Sequence, residues 1–401
     1  TLAGSSGRCW FVETPATASA QLLIVSDGAD NYNITTADVI TQIDQVDDAN
    51  YPQSNLGCID YLDGHLIQSK SNGEVWNSNK NDFDSWTSTS SLAASFQGDA
   101  LEASHLQGDK LFAFGKKSIE VYFNNGNSSG SPLLRIEQNL IEVGLAAKET
   151  LAWSGSVMMF VGENASGGDG ERSVWKIQQG KLTEVSNASI NRFLKAEGTS
   201  ISTATAWMER VAGQLVYVLN LDGAERSFIY NLDTPSWTEW EAAAGGAKFN
   251  GIAATSRNGT VYVQDATNGR IYTFNPTTYQ DSGTNFTCTF QPEGRDYGVP
   301  FRKFERELSV VGDTTTGDLN VSYSDDDYTT FNTARAIDLS LARKRLTRLG
   351  SFYKRAYRYT YADNYALRLQ ASRHEVDLWN VRWNTILFQV RSGQIILARR
   401  C

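Results

Sequence analysis

The stretch Leu106-Gln107-Gly108-Asp109-Lys110-Leu111-Phe112-Ala113-Phe114, followed by Ile119-Glu120-Val121-Tyr122, decides the fold. It reads as an apolar strand, a tight turn containing glycine, a second apolar strand, and then a strand carrying an aromatic residue. The same unit recurs. Ile59-Asp60-Tyr61-Leu62-Asp63-Gly64-His65-Leu66-Ile67 precedes Val75-Trp76, and Leu151-Ala152-Trp153-Ser154-Gly155-Ser156-Val157-Met158-Met159-Phe160 precedes Val174-Trp175. A fourth copy runs through Val211-Ala212-Gly213-Gln214-Leu215-Val216-Tyr217-Val218 to Phe228-Ile229-Tyr230 and Trp237. A fifth runs from Ile252 through Asn258-Gly259-Thr260-Val261-Tyr262-Val263 to Ile271-Tyr272. The turn glycines 64, 108, 155, 213 and 259 are separated by 44, 47, 58 and 46 residues. Blades of four-stranded propellers repeat at roughly 40–50 residues. Asp-Gly and Asn-Gly supply the positive φ that two-residue hairpin turns require.

A sixth unit fits the N-terminus, where Cys9-Trp10-Phe11-Val12, Leu22-Leu23-Ile24-Val25 with Asp27-Gly28, and Tyr32-Asn33-Ile34 make three or four strands. The expected fold class is all-β: a β-propeller of about six blades, with five to seven compatible with the spacing, over residues 1–278. A β-sandwich array competes, but near-constant hairpin spacing favours radial repetition. Ile190, Phe193 and Leu194 have helical spacing behind Asn187, with Gly198 beyond. They predict a short helix between the third and fourth of the copies above, which accounts for the longest spacing.

The rhythm changes after Thr278. Phe286-Thr287-Cys288-Thr289-Phe290, Leu308-Ser309-Val310-Val311, Leu319-Asn320-Val321-Ser322-Tyr323 and Tyr357-Arg358-Tyr359-Thr360-Tyr361 alternate strictly between polar turns. They predict a separate antiparallel, β-sandwich-like domain over 279–379. The stretch 380–401 is apolar and basic. It reads as a C-terminal tail, either a strand pair on a neighbour or an appendix.

Composition agrees with strands: 33 glycines and 45 aromatic residues stand against 7 prolines and 3 methionines in 401 residues. No apolar run is long enough to cross a membrane as a helix. The N-terminus Thr1-Leu2-Ala3-Gly4-Ser5-Ser6-Gly7 has neither signal-peptide regions nor an initiator methionine, so the numbering reads as that of a fragment. Cys9, Cys58, Cys288 and Cys401 are scattered without a CxxC, which points to buried free thiols rather than a metal site. Net charge is −9, yet residues 295–401 hold 18 Lys and Arg against 12 Asp and Glu. An acidic body with a basic end suits a surface meeting nucleic acid or an acidic partner, or an ordinary exposed sheet.

Candidate chemistry is thin. His65, His105 and His374 are the histidines. None sits in a nucleophile elbow or at metal-ligand spacing, so the expectation is structural histidines and no triad. Asp325-Asp326-Asp327, within Tyr323-Ser324-Asp325-Asp326-Asp327-Tyr328-Thr329-Thr330-Phe331, resembles the Asp-box hairpin turn of sialidases. It reads as a solvated turn, with a calcium site as the alternative. Ser78 to Trp86 is a looser relative, a turn that packs a tryptophan. Gly167-Gly168-Asp169-Gly170 lacks the Lys-Ser/Thr of a phosphate loop and reads as a hairpin loop. Arg343, Lys344, Arg345 and Arg348, then Lys354, Arg355 and Arg358, are interleaved with Phe352, Tyr353, Tyr357 and Tyr359. That pattern suits either contacts to DNA phosphates and bases or a subunit surface of salt bridges. No catalytic residue, cofactor or metal is expected.

Several of these segments, taken in order, resemble one family. Leu111-Phe112-Ala113-Phe114-Gly115-Lys116-Lys117-Ser118-Ile119-Glu120-Val121-Tyr122-Phe123-Asn124-Asn125-Gly126 looks like a characteristic segment of the packaged-DNA stabilization proteins of short-tailed bacteriophages, the tail hub or nozzle proteins. Ile141-Glu142-Val143-Gly144-Leu145-Ala146-Ala147, the strands around Tyr217, Phe228 and Trp237, and Ser322-Tyr323-Ser324-Asp325-Asp326 followed by Arg345, Arg348 and Leu349-Gly350-Ser351 continue the likeness over roughly 56–375. The sequence departs where the family's Asp-Gly-Gly is Asp325-Asp326-Asp327. The resemblance implies a non-enzymatic virion protein of the phage tail. Six copies would ring the tail axis below the portal-adaptor protein, beside tail fibre or tailspike and needle proteins. Together they would retain double-stranded DNA and later form its ejection channel. Propellers also serve as polysaccharide hydrolases and as glycan- or receptor-binding modules. Such a hydrolase needs two carboxyls flanking a sugar bond.

Overall fold

The computed structural model describes residues 8–15, 22–94, 98–127, 129–137, 140–164, 171–242, 247–275, 277–378, 386–391 and 394–398. The Gly167–Gly170 loop, the first seven residues and Cys401 lie outside these. The chain forms two compact units, Thr1–Trp240 with Lys248–Thr273, and Glu241–Ala247 with Phe274–Cys401.

The first unit contains six successive antiparallel sheets in chain order. The first blade consists of Trp10–Glu13, Leu22–Ser26, Asn31–Thr35 and Ile40–Ile43. The second holds Ile59–Leu62, His65–Ser69, Glu74–Asn79 and Asp82–Ala93. Leu101–Gln107, Lys110–Gly115, Ile119–Asn124 and Leu133–Arg135 make the third. In the fourth, Val157–Asn164, Arg172–Gln178 and Lys181–Glu184 follow an inner strand broken into Val143–Leu145 and Ala152–Ser154. The fifth is Thr205–Val211, Gln214–Leu221, Arg226–Asn231 and Ser236–Trp240, and the sixth is Gly251–Arg257, Thr260–Asp265 and Ile271–Thr273.

All five expected glycines lie at the turn between the first and second strand of a blade, and the N-terminal unit supplies a full four-stranded sheet. At three of these turns both central residues are left-handed: Asp63 and Gly64 have φ of 49° and 95°, Ala212 and Gly213 of 52° and 83°, and Asn258 and Gly259 of 52° and 77°. These are the conformations of a type I′ hairpin, whose twist matches that of the strands it joins.

Second strands of the third and fourth blades are buried on both faces because each lies between two cores. In Lys110–Gly115, Leu111 and Ala113 enter one apolar cluster while Phe112 and Phe114 enter another. In Val157–Asn164, Met158 and Phe160 join the cluster that holds Phe114, and Val157, Met159 and Val161 face the cluster shared with the fifth blade. The period-two alternation sends neighbours to opposite sides, so a continuous apolar run is what an interior strand requires. Gly144 marks a close approach between blades, since a Cβ there would sit 2.0 Å from the carbonyl carbon of Lys116.

The expected helix is Ala188–Ala196. The Asn187 side chain caps it by accepting from the Ile190 backbone N–H at 3.0 Å. A 3-10 segment, Gly198–Thr203, follows. Both lie between the fourth and fifth blades and fill the longest glycine interval.

The second unit is a two-sheet sandwich. One sheet orders Cys288–Phe290, Ala356–Tyr361, Asp318–Ser324 and Arg335–Asp338; the other orders Arg345–Thr347, Lys303–Gly312, Leu369–Leu378, Ile386–Arg391 and Gln394–Ala398. Leu308 and Val310 from the second sheet meet Leu319, Val321, Tyr357 and Tyr359 from the first in one core. The stretch read as a C-terminal tail holds the last two strands. Ile386–Arg391 pairs with Leu369–Leu378, and Gln394–Ala398 pairs in turn with Ile386–Arg391.

Candidate functional site

The inner strands of the first five blades converge. Trp10 of the first blade stacks on Trp153 of the fourth at 5.3 Å between centroids, and His105 of the third stacks on Trp153 at 3.7 Å. His105 Nδ1 lies 3.1 Å from Asp60 Oδ1 of the second blade. Arg8 reaches Glu149 at 3.5 Å and the carbonyl of Ala206, in the fifth blade, at 3.4 Å. Aromatic rings and polar side chains therefore line the space where these strands meet.

The seven basic residues expected to form a contact surface separate in the second unit. Arg343 and Arg348 are exposed, the latter at φ 58°. Exposed Arg345 pairs with Glu307 at 2.8 Å, and exposed Lys354 with Asp327 at 2.6 Å. Arg358 lies over the ring of Phe331 at 3.6 Å and donates to Gln291. Two of the seven are not surface residues. Lys344 is buried, with its ammonium 3.2 Å from the Thr314 hydroxyl. Arg355 is 2% exposed and lies between the rings of Tyr323 and Phe352, at 3.8 and 4.4 Å. Alternation decides this: Arg355 immediately precedes the strand Ala356–Tyr361 and its side chain enters the sandwich.

Arg355 organises a buried polar cluster. Its Nε and NH2 grip both oxygens of Asp325, at 2.7 and 2.8 Å, in a bidentate pair. Its NH1 donates to Glu305 at 3.1 Å and to the Leu349 carbonyl at 2.8 Å. Glu305, fully buried, also accepts from the Tyr357 hydroxyl and from His374 Nδ1, the latter at 2.8 Å. Burial, and then the charge of Glu305, push the Tyr357 phenol well above its ordinary pKa, so it stays a donor. Lys303 is buried nearby with its ammonium shared among the carbonyls of Val299, Phe301 and Tyr353, at 2.7, 2.9 and 2.8 Å. A charge out of water needs such a complete set of partners.

The Asp-rich turn is taken up by local bonds. Asp325 serves Arg355 and Asp327 serves Lys354, while Asp326 accepts from the hydroxyls of Ser324 and Thr330, both at 2.6 Å. Those two hydroxyl bonds hold the Asp326 carboxyl down at about 2. Where the family pattern has glycine, Asp327 and the next residue, Tyr328, adopt φ of 53° and 71°. The turn keeps a left-handed geometry without a glycine.

One arrangement was missed. The third histidine, His374, contacts Ser372 as well as Glu305: Ser372 Oγ is 3.0 Å from His374 Nε2. Ser372-x-His374 on a strand places both side chains on one face, and that alternation was the available signal. The acidic partner, Glu305, lies 69 residues away and comes close only through strand pairing. Both Ser372 and His374 line a pocket of about 340 Å³ with Phe290, Val310, Tyr359 and Leu369. Among the thiols, Cys58 is buried as expected, but Cys288 is exposed and Cys9 half-buried. No cluster of three or more candidate metal ligands occurs among the described residues, and no helix there is long and apolar enough to cross a membrane.

Comparison with known proteins bears on the first unit most directly. No curated protein matches the chain. Solved structures with some likeness include virginiamycin B lyase from Staphylococcus aureus, 10% identical over 70% of this chain and 93% of that one, with a TM-score of 0.40. Hsv2 of Kluyveromyces lactis is 11% identical over 64% and 72%, with a TM-score of 0.37. An exo-beta-1,3-galactanase from Phanerochaete chrysosporium is 9% identical over 90% and 94%, with a TM-score of 0.30. These likenesses are too distant to speak to function. A sequence model of a family described as Bacteriophage P22 Gp10, beta-propeller, matches residues 3–279, which spans all six blades. The chain therefore belongs to the bacteriophage P22 Gp10 β-propeller family, a family of structural phage proteins.

Proposed function

We propose that this protein is a tail hub, or nozzle, subunit of a short-tailed bacteriophage. Six copies ring the tail axis beneath the portal-adaptor protein, close the packaged genome in the head and form the channel through which it leaves. Tail fibre or tailspike and needle proteins are the other neighbours this reading expects. Its main support is the family match over 3–279. The filled centre of the propeller adds a physical constraint. With Trp10, Trp153 and His105 stacked where the inner strands meet, a duplex does not thread a single propeller. The lumen belongs between copies, and each propeller serves as a rigid wall segment whose short strand edges are protected. Exposed Arg343 and Arg348 face solvent, and exposed Arg345 does so beside its partner Glu307, so this edge suits a neighbouring acidic surface or phosphate. The test is genome retention. Phage particles assembled without this chain should package DNA and then lose it. Particles that keep their full DNA content would contradict the reading.

A further inference from the structure

The pocket of the second unit holds a serine, a base and a buried carboxylate in line, and nothing in a wall or channel role calls for that order. Ser372 Oγ lies 3.0 Å from His374 Nε2, and His374 Nδ1 lies 2.8 Å from Glu305 Oε1. Glu305 is fixed from its other side by Arg355 NH1 at 3.1 Å and by the Tyr357 hydroxyl. An ionised carboxylate at Nδ1 makes that nitrogen the donor and leaves Nε2 free to accept the serine proton. Ser372 is half-buried on the pocket wall, while Glu305 is closed off from water. This is the distribution of access that a nucleophile and its supporting acid need.

A second feature adjoins the first. The Tyr359 hydroxyl is buried on the wall of the same pocket, next to the Ser372 side chain. Burial raises its pKa far above neutrality, with Ser372 beside it. It is a protonated donor waiting next to the nucleophile, where the oxygen of an acyl-transfer intermediate would develop charge. Phe290, Val310 and Leu369 add apolar wall, and Glu293, Arg295 and Gln370 add polar wall.

We infer that Ser372, His374 and Glu305 form a serine-hydrolase triad acting on carboxylic esters with a small acyl group. Ser372 Oγ attacks the ester carbonyl as its proton passes to His374 Nε2. The oxyanion meets the Tyr359 hydroxyl. Collapse expels the alcohol, which takes the proton from Nε2 and leaves acyl-Ser372. Water then attacks the acyl-serine, giving its proton to Nε2, and the carboxylic acid departs as Ser372 recovers its hydrogen. Glu305 positions the imidazole throughout. This activity is separate from the wall role proposed above and stands or falls without it.

The test uses the full chain, a fluorophosphonate probe and p-nitrophenyl acetate. Native protein should gain a single phosphonyl adduct that maps to Ser372, and heat-unfolded protein should not. Ser372→Ala should lose the adduct and about 10²-fold or more of the turnover. In Glu305→Gln, kcat should fall with KM unchanged, because the base is misoriented while the acyl pocket is intact; a rise in KM alone would contradict the positioning role. Folded native protein that gains no adduct at Ser372, while a known serine hydrolase is labelled in parallel, overturns the proposal. Equal turnover by Ser372→Ala does so as well.

Discussion

Arg355 and Arg345 carry the same charge and stand ten residues apart, yet they answer to different physics. Arg355 is 2% exposed and holds Glu305, which is fully buried. Removing it leaves an uncompensated carboxylate inside the sandwich, a loss of about 3–5 kcal/mol. Arg355→Met should therefore lower the denaturant midpoint of the second unit steeply. Arg345 pairs with Glu307 in water, where such pairs contribute about 1 kcal/mol or less. Arg343→Ala combined with Arg345→Ala should leave stability almost unchanged but weaken ring assembly or DNA retention. Normal assembly and full DNA content in that double variant would count against a contact role. In the sequence the seven cations looked alike, because a basic run carries no sign of which side chains turn inward. The strand Lys303–Gly312 shows why. Lys303 and Glu305 point in and Phe304 points out, until a bulge between Glu305 and Glu307 reverses the phase and brings Leu308 and Val310 into the core. Charge inside and phenylalanine outside inverts the pattern from which burial is read.

Elements with local causes were legible. Two-residue turns announced themselves as Asp63-Gly64 and Asn258-Gly259, and the strands on either side followed by alternation. The helix Ala188–Ala196 was visible from its cap and its apolar spacing. Asn187→Ala removes the bond to the Ile190 N–H and should cost about 1 kcal/mol in thermal or chemical unfolding of the first unit. An unchanged midpoint would mean that packing of Ile190 and Leu194 alone holds the helix. Elements with distant causes were not legible. The inner strand of the fourth blade is split by a 3-10 turn at Lys148–Thr150, whose Lys148 reaches the carbonyl of Leu56 in another part of the chain. The Glu305–His374 contact depends likewise on which strands become neighbours, and one chain's residue order does not state that.

At the scale of the whole molecule, about six blades were expected, with five to seven compatible, and six sheets are present in the first unit. The second unit, with its net positive charge from residue 295 onward, was expected as a sandwich and is one. Its last two strands pair onto the edge of one sheet. What the propeller's centre contains was hidden, since the convergence of Trp10, Asp60, His105 and Trp153 requires blades to be arranged around a common middle. Under the proposed role, that centre becomes a constraint on assembly: passage for DNA would have to be built between copies. Electron microscopy of the purified chain, alone and mixed with the portal-adaptor protein, measures this directly. Six-fold rings with an open lumen bounded by the outer surfaces of the propellers are the expected result. A particle that stays monomeric in the presence of the adaptor, or a ring whose DNA density runs through a propeller's own centre, would contradict it.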